Sequence, residues 1–322
     1  MKRFYLLLIL GCASTWAAAE PRVFAPLFLK LGAVNELYVW DEAPIGAFSV
    51  ELRRAGAEKA FAVVKGFSVA SPLSVLGAGN RSLNWSAALL APDALEAPGP
   101  VVVRFVAAKG KVLGEVASEI HPRSFPSEKI PLDEAMSDLR SKPDPRKDRE
   151  VAEIWKIYQT FNPTVWTGDR FLRPVPLAFR TSAQFGDVRE FLYADGKSAR
   201  DYHRGTDFAV PEGTQVVAPA PGTVVLVANR LLTGTTIVVE HAPSVYSVYF
   251  HLSKAQVKKG QKVAAGDGLA LSGATGLVTG PHLHWEVRVG GVPVDALDLI
   301  TDGLLDTNTV SAVISSVERS IH

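Results

Sequence analysis

The chain has 322 residues, 47% hydrophobic and 21% charged, and its 34 basic side chains against 33 acidic ones leave a formal net charge of +1. That balance excludes the basic footprint of a nucleic-acid binder and a polybasic membrane surface. Past the N-terminus no apolar run reaches the roughly 18 residues of a spanning helix. Cys12 is the single cysteine, so a disulfide framework and a thiolate metal site are both excluded, and any metal must be held by histidines and carboxylates.

The first residues read as an export leader. Lys2 and Arg3 are followed by the apolar "FYLLLIL", and "AAA" before Glu20 supplies a small-residue cleavage site, so residues 1–19 are expected to be removed. The competing reading takes "ILGC" as a lipoprotein signal anchored at Cys12, on a leader that would then be short. Either way the chain is expected outside the cytoplasm, in the periplasm or cell envelope, with no membrane span in its mature form.

The length suggests two domains. Residues 20–120 show short β-rich runs, among them "FSVELRRAG", "AFAVVKGFSV" and "VVVRFVAAKGKVLGEVASEI", separated by turn signals. They predict a β-sandwich-like domain that carries no recognisable chemistry. Residues 121–170 change texture and predict a short helical connector. Asp144 is an N-cap candidate there, Pro145 takes the first helical position, and Val151, Ile154, Trp155, Tyr158 and Phe161 form an apolar stripe. Residues 171–300 return to Gly-, Pro- and Val-rich strand-length runs and predict an antiparallel β domain. Within it, "GTQVVA" from Gly213 and "GQKVAA" from Gly260 echo each other faintly. The tail 301–322 is uninformative beyond one short helix.

Chemistry concentrates in the last domain. Of seven histidines, His203, His251, His282 and His284 sit in strong local patterns, whereas His121, His241 and His322 do not. "HRGTD" sets His203 and Asp207 four apart, with Gly205 allowing a tight bend that brings both side chains to one point. "GPHLHWEVRV" alternates polar and apolar residues, so His282, His284, Glu286 and Arg288 share one face of a strand. A catalytic zinc needs three protein ligands and one open position. His203, Asp207 and one of the paired strand histidines make such a set. The other strand histidine and His251 are then left for proton transfer and the oxyanion. The helical H-E-x-x-H plan of many zinc proteases is absent.

In this order and spacing "HRGTD", "YFHLS" and "TGPHLHWEV" resemble the lysostaphin-type (LytM-domain) zinc metalloendopeptidases that cut peptidoglycan peptides. "SAQFGDVR", "GTQVVAPAPGTVV" and "KKGQKVAAGDGLALSGATG" extend the resemblance over about residues 171–300, and "EIWKIY" before "WTGDRFLRPV" resembles secreted members with an extra N-terminal domain. The resemblance implies an open antiparallel sheet with loops walling a groove. It implies one zinc per chain on His203, Asp207 and His284, catalytic imidazoles at His251 and His282, and a peptidoglycan peptide as substrate. Glu286 is either a partner orienting a histidine or a plain strand charge. The sequence departs from the family at Ala242-Pro243, where a glycine is common, and at Asp187-Val188-Arg189, where paired arginines are frequent. The expected activity is a secreted zinc endopeptidase. The alternative is a non-catalytic, wall-binding regulator of another murein hydrolase.

Overall fold

The computed structural model describes residues 21–69, 73–75, 81–163, 170–305 and 307–321. The expected leader, its cleavage site and Cys12 lie outside the described residues, as does His322. The described residues fall into two compact units. One takes the chain up to Pro122 together with residues from Leu305 onward, and the other takes Arg123–Asn162 with residues 170–304. This division differs from the expected one. Most of the segment read as a connector is built into the second unit, and most of the tail into the first.

The first unit is a sandwich of two five-stranded sheets. One holds Arg22–Phe24, Asn35–Asp41, Arg81–Leu90, Phe67–Ser68 and Leu73–Val75, and the other holds Phe28–Lys30, Val112–His121, Gly99–Ala107, Phe48–Arg54 and Ala60–Lys65. Strand alternation puts Phe48, Val50 and Leu52 on the inner face, where they pack with Leu37, Val39, Val101, Val103 and Phe105. Outside the first sheet lies the helix Thr307–Ile321, whose Val310, Val313, Ile314 and Val317 are buried at i, i+3, i+4, i+7 spacing. Its Glu318 is buried too, accepting from the Trp40 indole nitrogen at 2.9 Å and paired with Arg22.

The second unit centres on an eight-stranded antiparallel sheet. Its order is Thr181–Ala183, Thr206–Phe208, Leu283–Val289, Val245–Leu252, Gly234–Ala242, Gly222–Arg230 and Lys262–Val263, with Val292–Val294 also pairing to Leu283–Val289. Val245–Leu252 is buried along its whole length, as expected of a strand covered on both faces. The helix Pro145–Tyr158 begins as its sequence predicts, with the Asp144 carboxylate accepting from the Arg146 backbone. It lays Ile154 and Tyr158 onto Leu226, Val238, Tyr246, Val248 and Phe250 of the sheet. The expected apolar stripe is only partly buried, because Val151 and Trp155 remain half exposed. The echoed segments are each a left-handed glycine (φ of 85° at Gly213, 86° at Gly260) two residues before a short strand, in different sheets. At Ala242-Pro243 the turn is completed by Ser244, which takes a φ of 64° where glycine would be the easier residue. Among the described residues no helix is long and apolar enough to cross a membrane.

Candidate metal centre and active site

Antiparallel register delivers two of the key side chains. Thr206–Phe208 runs against Leu283–Val289 with Asp207 directly opposite His284. Residues so paired have Cβ atoms about 4.5–5.5 Å apart, so register alone brings carboxylate and imidazole within ligand reach. On the other side Phe250 is opposite the same histidine and stacks on its ring at 5.0 Å. His203 comes from the turn just before Thr206–Phe208. Gly205 in that turn has no left-handed φ, so conformational freedom is not why it is glycine. The cause is proximity: a Cβ there would lie 2.4 Å from the Trp285 carbonyl oxygen and 2.9 Å from His284 Nε2.

The three groups close into a triangle. His203 Nε2 is 3.0 Å from Asp207 Oδ1 and 2.9 Å from His284 Nδ1, which is in turn 2.7 Å from Asp207 Oδ1. All three residues are buried, and among the described residues this is the one group of three or more His, Cys, Asp or Glu placed to hold a metal ion. The far nitrogens are already committed. His203 Nδ1 donates to the Gln184 carbonyl at 2.8 Å, and His284 Nε2 donates to Glu286 Oε1 at 3.0 Å. In neutral imidazoles the inward nitrogens therefore carry lone pairs. Two such nitrogens and a carboxylate oxygen are three acceptors aimed at one point, and acceptors do not satisfy one another. A cation does. Two imidazoles and one carboxylate are the ligand chemistry of catalytic zinc, and tetrahedral bonds of ~2.0–2.1 Å set donor spacings of roughly 3.3 Å, a few tenths more than these. The residues fit the metal.

The electrostatics mark a place that draws positive charge: a metal cation there would displace the proton that His284 otherwise holds. Burial opposes a charge on His284, but hydrogen bonds to Asp207 and Glu286 outweigh it and push its pKa up to about 9. Asp207, also penalised by burial, is nonetheless held far below the usual carboxylate range by His203 and His284. Burial pushes His203 down, towards the neutral form that ligates. Arg189, in the segment where the sequence departs from the family's frequent paired arginines, bonds Glu128 at 3.0 Å and reaches Asp207 Oδ2 at 3.5 Å. Glu286 is buried, and against that burial Arg288 and His284 lower its pKa to about 2. Of its two readings from sequence, the structure shows the orienting partner: Glu286 fixes which nitrogen His284 turns inward.

His251 and His282 stand beside the triangle. Their ring centroids are 4.9 Å apart, and His282 Nε2 is 3.9 Å from Asp207 Oδ1. Each has its Nδ1 tied to a carbonyl, Thr275 for His251 at 2.8 Å and Gly280 for His282 at 2.9 Å, which leaves both Nε2 atoms uncommitted to those bonds. His251, the penultimate residue of Val245–Leu252, takes a φ of 60°, uncommon for a non-glycine residue, while its backbone N–H donates to the Thr233 carbonyl. Burial lowers its pKa to about 4, so the ring is neutral near pH 7. His241, set aside from sequence, lies in a buried chain instead, with Nδ1 on the Pro221 carbonyl and Nε2 2.6 Å from Ser247 Oγ, which is 2.8 Å from the Tyr249 hydroxyl. His121 packs on Phe28 in the first unit. The carbonyls of Gln184, Thr275 and Gly280 escaped sequence reasoning, because a backbone acceptor has no residue-type signature.

Known proteins are similar to this chain. The chain is 50% identical over 124 residues to the peptidoglycan DD-endopeptidase ShyA of Vibrio cholerae and 43% identical over 122 residues to ShyB of the same organism. These matches take 38% and 37% of this chain but only 28% and 29% of the relatives, so the chain spans less than a third of either. A solved M23 peptidase from Pseudomonas aeruginosa is similar over 80% of this chain and 94% of its own length, at 29% identity and a TM-score of 0.53. Residues 201–296, which hold all five site residues chosen from sequence, match Peptidase family M23. The chain thus carries an M23 (LytM-type) peptidase domain over residues 201–296.

Proposed function

We propose that this chain is an exported zinc endopeptidase of the cell envelope that hydrolyses peptide bonds in peptidoglycan, of the DD type named for its Vibrio cholerae relatives. The observation that carries the reading is the convergence of His203 Nε2, Asp207 Oδ1 and His284 Nδ1, with two further imidazoles alongside. Zinc held by these three donors would supply Lewis acidity and bring a bound water to a pKa of about 7. The rest falls to the chain. Asp207 balances charge, with Arg189 nearby, and Glu286 keeps the Nδ1 of His284 turned inward. His251, neutral through burial and fixed by the Thr275 carbonyl, offers Nε2 to take the proton of the attacking water. His282, fixed by Gly280, offers Nε2 to the oxyanion or to the departing amine. A regulator that merely bound metal would need neither imidazole.

Digesting purified sacculi with the zinc-loaded protein tests the reading. Cross-linked muropeptide dimers should fall to monomers, chelation should stop the reaction and added zinc should restore it. Intact dimers after prolonged incubation with zinc-loaded protein would refute it.

A further inference from the structure

The helix Pro145–Tyr158 lies outside the matched residues 201–296, yet it makes two separate sets of contacts that each end on a different functional histidine. The first runs from its C-terminal turn. Tyr158 sets its ring 5.2 Å from the guanidinium carbon of Arg288. Trp155 and Tyr158 both crowd Gly291, where a Cβ would come within 2.7 Å of the indole and 3.3 Å of Tyr158 Cβ. Arg288 Nη1 donates to the Gly291 carbonyl at 2.9 Å and its Nε to Glu286 Oε2 at 2.6 Å, while Glu286 Oε1 holds His284 Nε2. The Tyr246 hydroxyl pins this end of the helix, its one hydrogen shared between the carbonyls of Ile157 and Thr160.

The second set starts at Glu150, about two turns before Tyr158. Its carboxylate accepts from the Leu231 backbone nitrogen through both oxygens, at 2.9 and 3.1 Å, and its backbone carbonyl accepts from Arg230. That fixes the turn Leu231–Gly234, on which the site's other loop depends. Thr233 O accepts from the His251 backbone, Leu232 O from Leu277, and Thr275 Oγ1 accepts from Thr235 N, while Thr275 O holds His251 Nδ1.

We propose that Arg288 and Glu150 are positioning residues through which this helix braces the site. The Tyr158–Arg288–Glu286 arm sets the metal ligand His284, and the Glu150 arm sets the imidazole of His251. The inference rests on the zinc-site reading above and adds that the two histidines are held by separable arms of one helix. Removing partners that orient a metal ligand characteristically costs 10–100-fold in metal affinity.

The test compares Arg288→Met with Glu150→Ala in the full chain. Zinc affinity is read by competition with a chromogenic chelator, the His251 ring by its imidazole ¹⁵N shifts, and thermal stability alongside. Arg288→Met should weaken zinc binding about 10–100-fold and leave the His251 ring shifts in place. Glu150→Ala should keep zinc affinity within about twofold, shift the His251 ring and lower kcat at saturating zinc. Arg288→Lys keeps the charge but not the fork; it should lose less zinc affinity than Arg288→Met, and it gives the reading should the methionine variant fail to fold. Wild-type zinc affinity in the Arg288 variants would overturn the proposal. So would losses in both single variants that simply track their melting temperatures. If the wild type binds zinc but releases no muropeptide, the endopeptidase reading fails while the zinc comparison still decides this one.

Discussion

Replacing Gly205 by alanine should damage the metal centre by a purely steric route. The backbone there already has φ outside the left-handed region, so alanine is conformationally acceptable. The added methyl, however, would sit 2.4 Å from the Trp285 carbonyl oxygen and 2.9 Å from both Glu286 Cγ and His284 Nε2. Relief to ordinary contact needs a shift of about 1 Å, since carbon contacts are optimal near 3.5–4.0 Å. The atom in the way is backbone of the strand that carries His284, so the shift must open the pairing of Asp207 with His284. Overpacking of this kind costs about 1–3 kcal/mol, and a 1 Å misplacement of catalytic geometry costs about 100-fold in rate. Melting temperature, zinc affinity by chelator competition and muropeptide release would be measured on Gly205→Ala beside Gly196→Ala. Gly196 has a φ of 82° and nothing near its Cβ position, so its alanine variant should lose stability while zinc binding and turnover stay as in the wild type. Wild-type zinc affinity and rate in Gly205→Ala would refute the close-approach argument.

Other outcomes follow from the same contacts. Zinc should raise the thermal stability of the second unit, by about 2.7 kcal/mol at a free concentration 100 times Kd, and chelation should reverse it; an unchanged melting temperature in a calorimetric scan would count against a native-state site. His241, buried and lowered to about 4 from a reference near 6.5, binds its proton more readily when unfolded. Its contribution is therefore fully present above pH 6.5 and lost as pH falls from there to 4, up to about 3 kcal/mol. Urea midpoints of His241→Asn between pH 4 and 7 should show a flatter slope than wild type, by about one proton. Glu318→Ala takes the partner from the buried Trp40 indole and should destabilise the first unit by about 1–3 kcal/mol without altering zinc affinity.

Much of the site was legible because its chemistry is written in residue types. The H-x-x-x-D and H-x-H spacings named His203, Asp207, His282 and His284, and period-two alternation placed Leu283, Trp285 and Val287 in the core behind them. The alternation did not show that Glu286 is buried, because a carboxylate on the polar face of a strand reads the same whether it meets solvent or Arg288. Gly205 was found for the wrong reason: a sequence shows that a residue lacks a side chain, not which neighbour needs the space. The helix Thr307–Ile321 was expected only as one short helix in an otherwise uninformative tail, although the spacing of Val310, Val313, Ile314 and Val317 marks its buried face. The apolar stripe of Pro145–Tyr158 was overread, since periodicity names a face but not how much of it the partner sheet covers. The division into units was not legible, because chain order does not tell which sheet a terminal helix returns to.

The central claim is that the paired histidines have different work, His284 as ligand and His282 as catalyst. Zinc content and muropeptide release measured together on His284→Ala and His282→Ala test it most directly. The account predicts that His284→Ala loses both metal and turnover, whereas His282→Ala keeps one zinc per chain and loses turnover. Loss of zinc from His282→Ala, or full activity in either variant, would contradict it.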